Sequence, residues 1–272
     1  MSSVAWHPDW LVPQWPVPAA VRAVCTSRAG GVSLAPYDSL NLGRPSADDW
    51  AAVERNRQLL QQAIGAAPVF LSQVHGITTL ELDAPPQPGA LASEADASVS
   101  AVPGVVCTVR VADCLPVLLS DRHGWVVGAA HAGWRGLSHG VLEQHVRVLL
   151  HLLGRQGGAA PAPGSLVAWL GPCIGPQAFE VGPDVRQAFV ARDQRTSACF
   201  VDYREGKWLA DLRALARLRL RTAGVTEIHG NDGSPTWCTF GNPSRFFSHR
   251  RDSRVLGGSG RMAACIWLDP DH

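Results

Sequence analysis

Ala-Asp-Cys-Leu-Pro at residues 112–116 and Ala-Ala-His-Ala-Gly-Trp-Arg-Gly at residues 129–136 place a thiol and an imidazole on two apolar segments. The apolar runs around them predict strands over residues 105–111, 115–119 and 125–130. The two segments therefore predict two apolar strands joined by a tight turn, with Cys114 on one and His131 on the other.

A tight turn is predicted between the last two of these strands. Asp121-Arg122-His123-Gly124 is typical of a type I turn, with Asp in the first position and Gly in the fourth. A turn centred on residues 122 and 123 would pair Cys114 with His131 on one face of the sheet, with Cβ atoms ~5 Å apart. A bulge would shift this register by one residue. Such a pair can ligate one metal ion, or act as a thiol with its base.

A third candidate ligand is His75, at the end of a short apolar strand that starts at Val69. Two histidines and one cysteine on separate strands match a catalytic zinc site, whose fourth position holds water. No Cys-x-x-Cys or His-Glu-x-x-His repeat accompanies them. Because a lone cysteine on an apolar strand is usually a core residue, spacing alone leaves both interpretations open.

The composition and charge make a small molecule the expected partner. A chain of 272 residues, 46% hydrophobic, can bury the core of one large domain or two small ones. A net charge of +1 provides no field for nucleic acid or an anionic membrane. No apolar run approaches the ~20 residues of a membrane span, and no signal segment is present. Seven scattered cysteines are typical of reduced thiols, so we expect a cytoplasmic protein.

Helices and strands interleave irregularly, which predicts an α+β fold with mixed sheets rather than a doubly wound one. Residues 1–25, with three tryptophans spaced by prolines, predict an extended N-terminal arm packed on the body. Residues 26–272 are then a single catalytic domain. The predicted helices run from a cap at Ser46-Ala47-Asp48-Asp49 to residue 64, over 137–153, from Pro183, and over 209–222; further strands cover 225–229 and 263–268, and a flexible loop covers 154–164.

Several motifs, in order from residue 26 to the end, resemble those of the YfiH-type laccase-domain family. They are Thr26-Ser27-Arg28-Ala29-Gly30-Gly31-Val32-Ser33, Pro36 to Gly43, Gln73-Val74-His75-Gly76, the segments around Cys114 and His131, Trp169 to Pro176, Phe179-Glu180-Val181-Gly182, Arg245 to Asp252, and Gly260-Arg261-Met262-Ala263. The family is also called multicopper polyphenol oxidase, purine nucleoside phosphorylase or peptidoglycan editing factor. Its members resemble the catalytic domain of cytotoxic necrotizing factor toxins, which implies mixed β-sheets in a layered core flanked by helices.

The resemblance also implies a reaction and a cofactor. The family's zinc ligands and catalytic residues fall on His75, Cys114 and His131, with copper as the less favoured metal. The implied reactions are phosphorolysis of adenosine, inosine, guanosine and methylthioadenosine, and deamination of adenosine to inosine. Zinc in such a site acts as a Lewis acid and activates water near neutral pH. The implied partners are a purine nucleoside and phosphate, and the chain would be a monomer or homodimer.

Five further residues are candidates for substrate binding, each with a structural alternative. Arg28, beside Gly30-Gly31, could hold an oxyanion or brace a loop with a salt bridge. Asn41 could contact substrate or hold a turn, and Arg135 could clamp substrate or structure. His249 and Arg250 form a second cationic cluster with Arg251, and at most one of the two consecutive arginines is expected to point into the cleft. Asp113, on an extended strand, would point to the face opposite the ligands, where it bonds a loop or acts on substrate.

The alternatives to a purine nucleoside enzyme are a multicopper oxidase, a thiol hydrolase and a binding module with a structural zinc. A multicopper oxidase needs about ten histidine ligands with His-x-His pairs and usually an axial methionine. The chain has ten histidines in all, no His-x-His, and methionines only at positions 1 and 262, so we reject this function. A thiol hydrolase with Cys114 as nucleophile and His131 as base would remove a wrong amino acid from a cell-wall precursor. A structural zinc in a binding module is disfavoured because no fourth ligand is evident.

Overall fold

Two β-sheets pack face to face in the computed structural model, which describes residues 6–43, 48–87, 91–157, 161 and 164–272. The strands are β1 (Val21–Cys25), β2 (Pro68–Phe70), β3 (Thr79–Glu81), β4 (Ala97–Ser100), β5 (Val106–Val111), β6 (Leu115–Asp121), β7 (Val127–Ala132), β8 (Leu166–Leu170), β9 (Glu180–Val181), β10 (Phe200–Arg204), β11 (Lys207–Ala210), β12 (Glu227–Gly230) and β13 (Met262–Leu268). The α-helices are α1 (Trp50–Ile64), α2 (Trp134–His139), α3 (Val141–Gly157), α4 (Pro183–Val190), α5 (Leu212–Thr222) and α6 (His249–Val255), and 3-10 helices cover Gln194–Cys199 and Pro235–Trp237.

The larger sheet has six strands in the order β12-β8-β6-β7-β4-β3. It is mixed, since β6 pairs antiparallel with β7 and β8 while β12–β8 and β3–β4 are parallel pairs. Alternate side chains of β6 pack into two different hydrophobic cores. Val117 and Leu119 pack with α3 and α5, whereas Leu118 packs against the other sheet. Because both faces are covered, all seven residues of β6 are buried.

The second sheet has four strands in the order β1-β13-β5-β2. β13 pairs antiparallel with β1 and β5, and β2 runs parallel to β5. Leu60 and Ile64 of α1 pack on its outer face with Cys265 and Trp267 of β13. The layers are therefore helix, sheet, sheet, helix, which confirms the predicted α+β class with mixed sheets.

The segment predicted as an N-terminal arm includes β1, which pairs with β13 along its whole length. Leu11 forms an isolated bridge with Cys25, and Nε1 of Trp6 donates to the carbonyl of Ala63. The division of the chain at Cys25 stays a prediction.

The predicted register of the β6–β7 hairpin is wrong by two residues. His131 lies opposite Pro116, not Cys114. A turn does form over residues 121–124, with the Gly124 amide donating to the Asp121 carbonyl at 3.2 Å. The chain then adds Trp125 before pairing resumes, because the Asp121 carboxylate also binds the amides of residues 123, 125 and 126. A shift of two residues leaves Cys114 and His131 on the same face of the sheet.

Two predicted helices have different bounds in the structure. The single helix predicted over residues 137–153 is two helices, α2 and α3, because Gly140 adopts a left-handed φ of 101° and ends α2. The helix predicted from residue 209 begins at Leu212, after the Asp211 cap, since Leu209 pairs in β11. The helices predicted to end at residue 64 and to start at Pro183 are confirmed as α1 and α4.

Parts of two predictions lie outside the described residues. Asp49 caps α1 by accepting from the Ala51 amide, but Ser46 and Ala47 of the proposed capping signal are not described. Of the loop predicted over 154–164, α3 extends to Gly157, and residues 158–160 and 162–163 are not described. No helix in the described part of the chain is long and apolar enough to cross a membrane.

Candidate metal centre

Three side chains far apart in the sequence meet beside the start of β6 and the end of β7. Cys114 immediately precedes β6, His131 lies on β7, and His75 lies in the loop after β2. Their ligand atoms all lie within 4.8 Å of one another. Sγ of Cys114 is 3.8 Å from Nε2 of His75. The structure thus brings together all three predicted ligands, although His75 stands in a loop rather than at a strand end, since β2 stops at Phe70.

The loop that carries His75 is bonded to β5. The Gln73 side chain bonds the backbone of Arg110 twice, donating to its carbonyl at 2.9 Å and accepting from its amide at 2.8 Å. His75 itself adopts φ of 61°, a left-handed conformation that is uncommon for a residue with a side chain. Such conformations persist only where the surroundings impose them and cluster at functional sites. The His75 ring is therefore placed by its loop, not by a strand.

Asp96 connects the two histidines and was not among the predicted site residues. Its Oδ1 accepts from Nδ1 of His131 at 2.8 Å and from the His75 amide at 3.0 Å. Its Oδ2 accepts from the amides of Val74 at 3.1 Å and Gly76 at 2.6 Å. One buried carboxylate therefore fixes the His131 ring, with Nε2 free for a ligand, and shapes the His75 loop. Carboxylates that bind the distal nitrogen of a metal-ligating histidine commonly orient the ring in this way.

The charges of the centre favour a thiolate. Burial would raise the pKa of Cys114, but the charge and hydrogen bond of His131, and then those of His75, lower it to about 6. For His131, burial would lower the pKa, and the opposite charges of Cys114 and Asp96 together with their hydrogen bonds raise it to about 9. Burial likewise opposes the effect of His131 on Asp96, whose pKa is held below its ordinary value. A centre that stabilises a thiolate suits a metal cation, since the thiolate is the ligand form of cysteine.

Asp113 does not point away on an extended strand, as we expected. It adopts φ of 82°, and its carboxylate accepts from Thr239 Oγ1 at 2.6 Å, Ser248 Oγ at 3.0 Å and the Arg250 amide at 2.6 Å. Its carbonyl accepts from the Ile174 amide at 2.9 Å. Asp113 thus anchors three neighbouring segments to the residue that precedes Cys114, which agrees with the loop-bonding alternative.

A cavity of about 730 Å³ opens beside the three ligands. Its lining includes four of the five predicted substrate residues, namely Asn41, Arg135, His249 and Arg250. One wall is apolar and contains Ile174, Phe179, Val181, Val185 and Leu212. This volume and this division into an apolar wall and a polar wall are typical of a site for a small organic molecule.

Arg28 is the predicted substrate residue that does not line the cavity. Its guanidinium donates to the carbonyl of Asp38 at 2.7 Å and that of Pro243 at 2.7 Å, and it pairs with the Asp38 carboxylate at 3.0 Å. It also lies over the Phe247 ring, 4.7 Å from the centroid. These contacts place Arg28 in a loop brace outside the cavity lining, as in the structural alternative, rather than where phosphate was expected.

Of the other predicted substrate residues, one is held in a turn and the others are exposed or line the cavity. Asn41 holds a turn, since its Oδ1 accepts from the amides of Gly43 and Arg261 and its Nδ2 donates to Asp48. Arg135 is exposed and stacks on the Trp134 ring at 4.5 Å. Of the two consecutive arginines only Arg250 lines the cavity, as expected.

Arg251 instead binds Asp252 and the carbonyls of residues 239, 240 and 246. Arg213 and Arg217 lie on α5. They bind the carbonyls of Asp232, Ile228 and Asn231 and so brace β12 and the loop after it.

Arg261 also lines the cavity, although no role was predicted for it. It lies within the Gly260-Arg261-Met262-Ala263 motif, so the sequence did contain a signal. The signal for Asp96 was weaker, because a single carboxylate just before β4 does not reveal a partner 35 residues away.

Two imidazoles and one thiolate can reach a single ion here, and the carboxylate of Asp96 supports one of the imidazoles. This set of ligands binds Zn²⁺, and it also binds softer ions such as Cu⁺. Within the described residues it is the single group of three or more histidine, cysteine or carboxylate side chains close enough to share an ion. The residues present therefore fit one metal ion, not a cluster of several.

Comparison with known proteins gives consistent matches along the chain. The profile of a family described as multi-copper polyphenol oxidoreductase laccase matches residues 22–269. A purine nucleoside phosphorylase of Pseudomonas aeruginosa is 49% identical over 261 residues, which cover 95% of this chain and 98% of that protein. The Escherichia coli purine nucleoside phosphorylase YfiH is 48% identical over 260 residues, with 95% and 98% covered. The crystal structure of a Neisseria meningitidis protein superposes with a TM-score of 0.84 at 42% identity and covers 96% of this chain and 99% of that chain.

Proposed function

The chain belongs to the multi-copper polyphenol oxidoreductase laccase family, and from this membership and its site we propose that it is a zinc-dependent purine nucleoside phosphorylase that also deaminates adenosine. The membership confirms the resemblance drawn from the motifs. The observation that carries the proposal is the His75–Cys114–His131 centre at the wall of a cavity large enough for a nucleoside. The name of the bacterial relatives supplies the substrate class.

His75, Cys114 and His131 would hold the ion, and Asp96 would keep the His131 ring in place. When bound, zinc supplies a Lewis acid that stabilises negative charge developing on the substrate. We favour zinc over copper because this family of reactions needs no change of oxidation state. One group of three ligands also differs from the many histidines that a multicopper oxidase requires.

In phosphorolysis, a phosphate oxygen forms a bond to C1′ of the ribose as the bond from C1′ to N9 of the purine breaks. The bonding electrons leave with the purine, and the proton of hydrogenphosphate ends on the base. The apolar side chains of Phe179 and Ile174 would bind the purine, and the cationic side chains of the lining would face the phosphate. We therefore expect turnover of adenosine, inosine, guanosine and methylthioadenosine.

In the deamination that we propose for the same cavity, water adds to C6 of adenosine and ammonia leaves. Asp113 is not available as the proton acceptor, because three donors already occupy its carboxylate. His249 is the better candidate. Its Nδ1 shares a proton with Ser253 at 2.7 Å, and its Nε2 remains free to exchange a proton with substrate.

A second function is favoured by one distance. Sγ of Cys114 lies 3.8 Å from Nε2 of His75, close enough for a thiol–imidazole pair that attacks a carbonyl carbon, with His75 as the base in place of the His131 named from the sequence. A hydrolase of this kind would act on an amide of a peptidoglycan precursor. It would work without metal and would be inactivated by iodoacetamide.

We further propose that the protein acts on small molecules in the cytoplasm, as a monomer or homodimer. All seven cysteines are free thiols, as a reducing compartment requires.

Chromatography of products tests the proposal. Protein of measured zinc content is incubated with each nucleoside, with and without phosphate, and inosine, adenine, hypoxanthine and ribose 1-phosphate are quantified. We expect free base and ribose 1-phosphate only with phosphate, and inosine from adenosine without it. Cys114→Ser should lose zinc and both reactions, whereas Cys199→Ser, a half-buried cysteine outside the cavity lining, should lose neither.

Zinc-loaded protein that leaves all four nucleosides unchanged contradicts the proposal. Activity that survives chelation and is lost to iodoacetamide supports the hydrolase instead.

A further inference from the structure

Two arginines and two aspartates that line the cavity differ in how their side chains are bonded. Within the described residues, the guanidinium groups of Arg250 and Arg261 form no ion pair with a carboxylate, and they donate only to backbone carbonyl oxygens. Asp113 and Asp48, in contrast, are occupied by protein donors. The guanidinium groups of these two arginines are therefore free of ion pairs, whereas the carboxylates of Asp48 and Asp113 are already bound. Glu180, which also lines the cavity, pairs with Arg204.

Arg261 is held so that part of its guanidinium remains available. Its amide donates to Asn41 Oδ1 at 2.9 Å, and Nη1 donates to the carbonyls of Ser259 at 2.8 Å and Gly260 at 3.0 Å. Among the described residues no acceptor lies within bonding distance of its Nε or Nη2. Burial lowers the pKa of Arg261, while the charges of Cys114 and Asp113 act in the opposite direction. A half-buried cation with two free donor groups is what an anion site requires.

Arg250 and His249 lie on the first turn of α6 and complete the same wall. Nη1 of Arg250 donates to the Glu180 carbonyl at 2.9 Å, and its guanidinium lies 5.5 Å from the centroid of the Phe179 ring. The Asp113 carboxylate holds its amide at 2.6 Å. Burial and then the charge of Arg261 lower the pKa of His249, so the imidazole is neutral at neutral pH, and it carries one N–H. These two residues thus add fixed donors beside Arg261.

We propose that Arg250, Arg261 and His249 form an oxyanion subsite that binds inorganic phosphate as the co-substrate. The inference rests on the proposed function and names the residues that hold the attacking group. Two guanidinium groups bind two edges of a tetrahedral oxyanion, and the imidazole binds a further oxygen. The 5′-phosphate of a nucleotide has the same chemistry and would compete for these donors.

Calorimetric titration of inorganic phosphate into the zinc-loaded protein tests the subsite without any turnover. Arg261→Gln and Arg250→Gln should each weaken phosphate binding about tenfold to a hundredfold, as expected when a charge-assisted hydrogen bond is lost. Arg261→Lys should fall between Arg261→Gln and the wild type. Arg254→Gln is the matched control, because Arg254 lies on the same helix, is exposed and does not line the cavity. Circular dichroism and zinc content establish that each variant is folded.

The outcomes separate this inference from the proposed function. Wild-type protein that binds no phosphate, or folded Arg250 and Arg261 variants that bind it as the wild type does, overturns the subsite. Phosphate binding that depends on both arginines, in a protein that releases no ribose 1-phosphate from any nucleoside, supports the subsite and contradicts the phosphorylase. Adenosine 5′-monophosphate is then titrated into the same proteins, and a loss of its binding in both variants identifies a nucleotide as the source of the oxyanion.

Discussion

The Asp96 carboxylate binds Nδ1 of His131 at 2.8 Å and, with the same oxygen, the amide of His75 at 3.0 Å. One buried side chain therefore sets the ring of one candidate ligand and the backbone of another. Pairing of β6 with β7 brings Cys114 close to His131, whereas His75 lies in a loop that no strand positions. The geometry of the centre thus depends on a residue that would touch neither metal nor substrate.

Asp96→Asn should weaken zinc binding by about tenfold to a hundredfold, the range seen when the partner of a ligating histidine is removed. The amide can accept at one oxygen only, so at least one of its backbone donors or His131 loses its partner. Zinc affinity is measured by competition with a chromophoric chelator. Asp121→Asn is the matched control, because Asp121 is also fully buried and accepts three backbone amides, but in the β6–β7 loop away from the cavity. Equal zinc affinity in the two variants would contradict the role of Asp96.

Gly133→Ala should disrupt the centre while leaving the fold intact. A Cβ at this position would lie 2.7 Å from Cδ2 of His75 and 3.0 Å from Sγ of Cys114, closer than carbon atoms pack. The ligands must move apart, so we expect loss of zinc and of nucleoside turnover with an unchanged circular dichroism spectrum. Gly154→Ala is the control, since its Cβ would meet only Cδ of Pro161 at 3.7 Å. Normal zinc content in Gly133→Ala would show that the centre is looser than the structure indicates.

The sequence predicted the strands of the centre well, because apolar runs bounded by turn residues identify buried strands directly. β6 and β7 lie within two residues of their predicted bounds, and all three predicted ligands meet. The hairpin register was missed because the carboxylate of Asp121 binds amides beyond the turn and lengthens it. That contact involves a side chain, so the turn residues alone do not reveal it.

The substrate side of the site was less predictable for a different reason. Arginine is suited equally to an anion and to carbonyl oxygens, and only tertiary contacts decide between them. Arg28 and Arg251 proved to be braces, whereas Arg250 and Arg261 face the cavity. The role of Asp96 was not predicted because its partners lie in two distant segments, residues 74–76 and His131, and no sequence pattern links them to it.

Arg28→Ala should reduce stability without changing the phosphate dependence of turnover. The variant loses two hydrogen bonds to carbonyls, one salt bridge and the contact with Phe247, worth about 1–3 kcal/mol together at a partly exposed site. Thermal unfolding measures the first effect and phosphate saturation of the folded variant measures the second. A large rise in the phosphate KM at unchanged stability would restore the anion-binding role.

His145 should make the protein sensitive to acid. It is fully buried, neither ring nitrogen has a hydrogen-bond partner among the described residues, and burial lowers its pKa to about 3. An unfolded chain binds the proton below its ordinary pKa of ~6.5, whereas the folded chain does not until about pH 3, so stability falls as pH falls between these values. Removing the group should remove that part of the pH dependence.

His145→Leu tests this, because leucine is apolar and does not titrate. Between pH 6.5 and 4.5, the free energy of unfolding of the wild type should fall by about 2 kcal/mol more than that of the variant, at ~1.4 kcal/mol per pH unit. Any packing change at Gly128, which the ring contacts, is the same at each pH and cancels from this difference. His151→Leu, an exposed position on the same helix, should keep the wild-type slope. Urea titrations at several pH values measure the slopes, and parallel slopes for wild type and His145→Leu would mean that the buried imidazole takes up its proton in the folded protein.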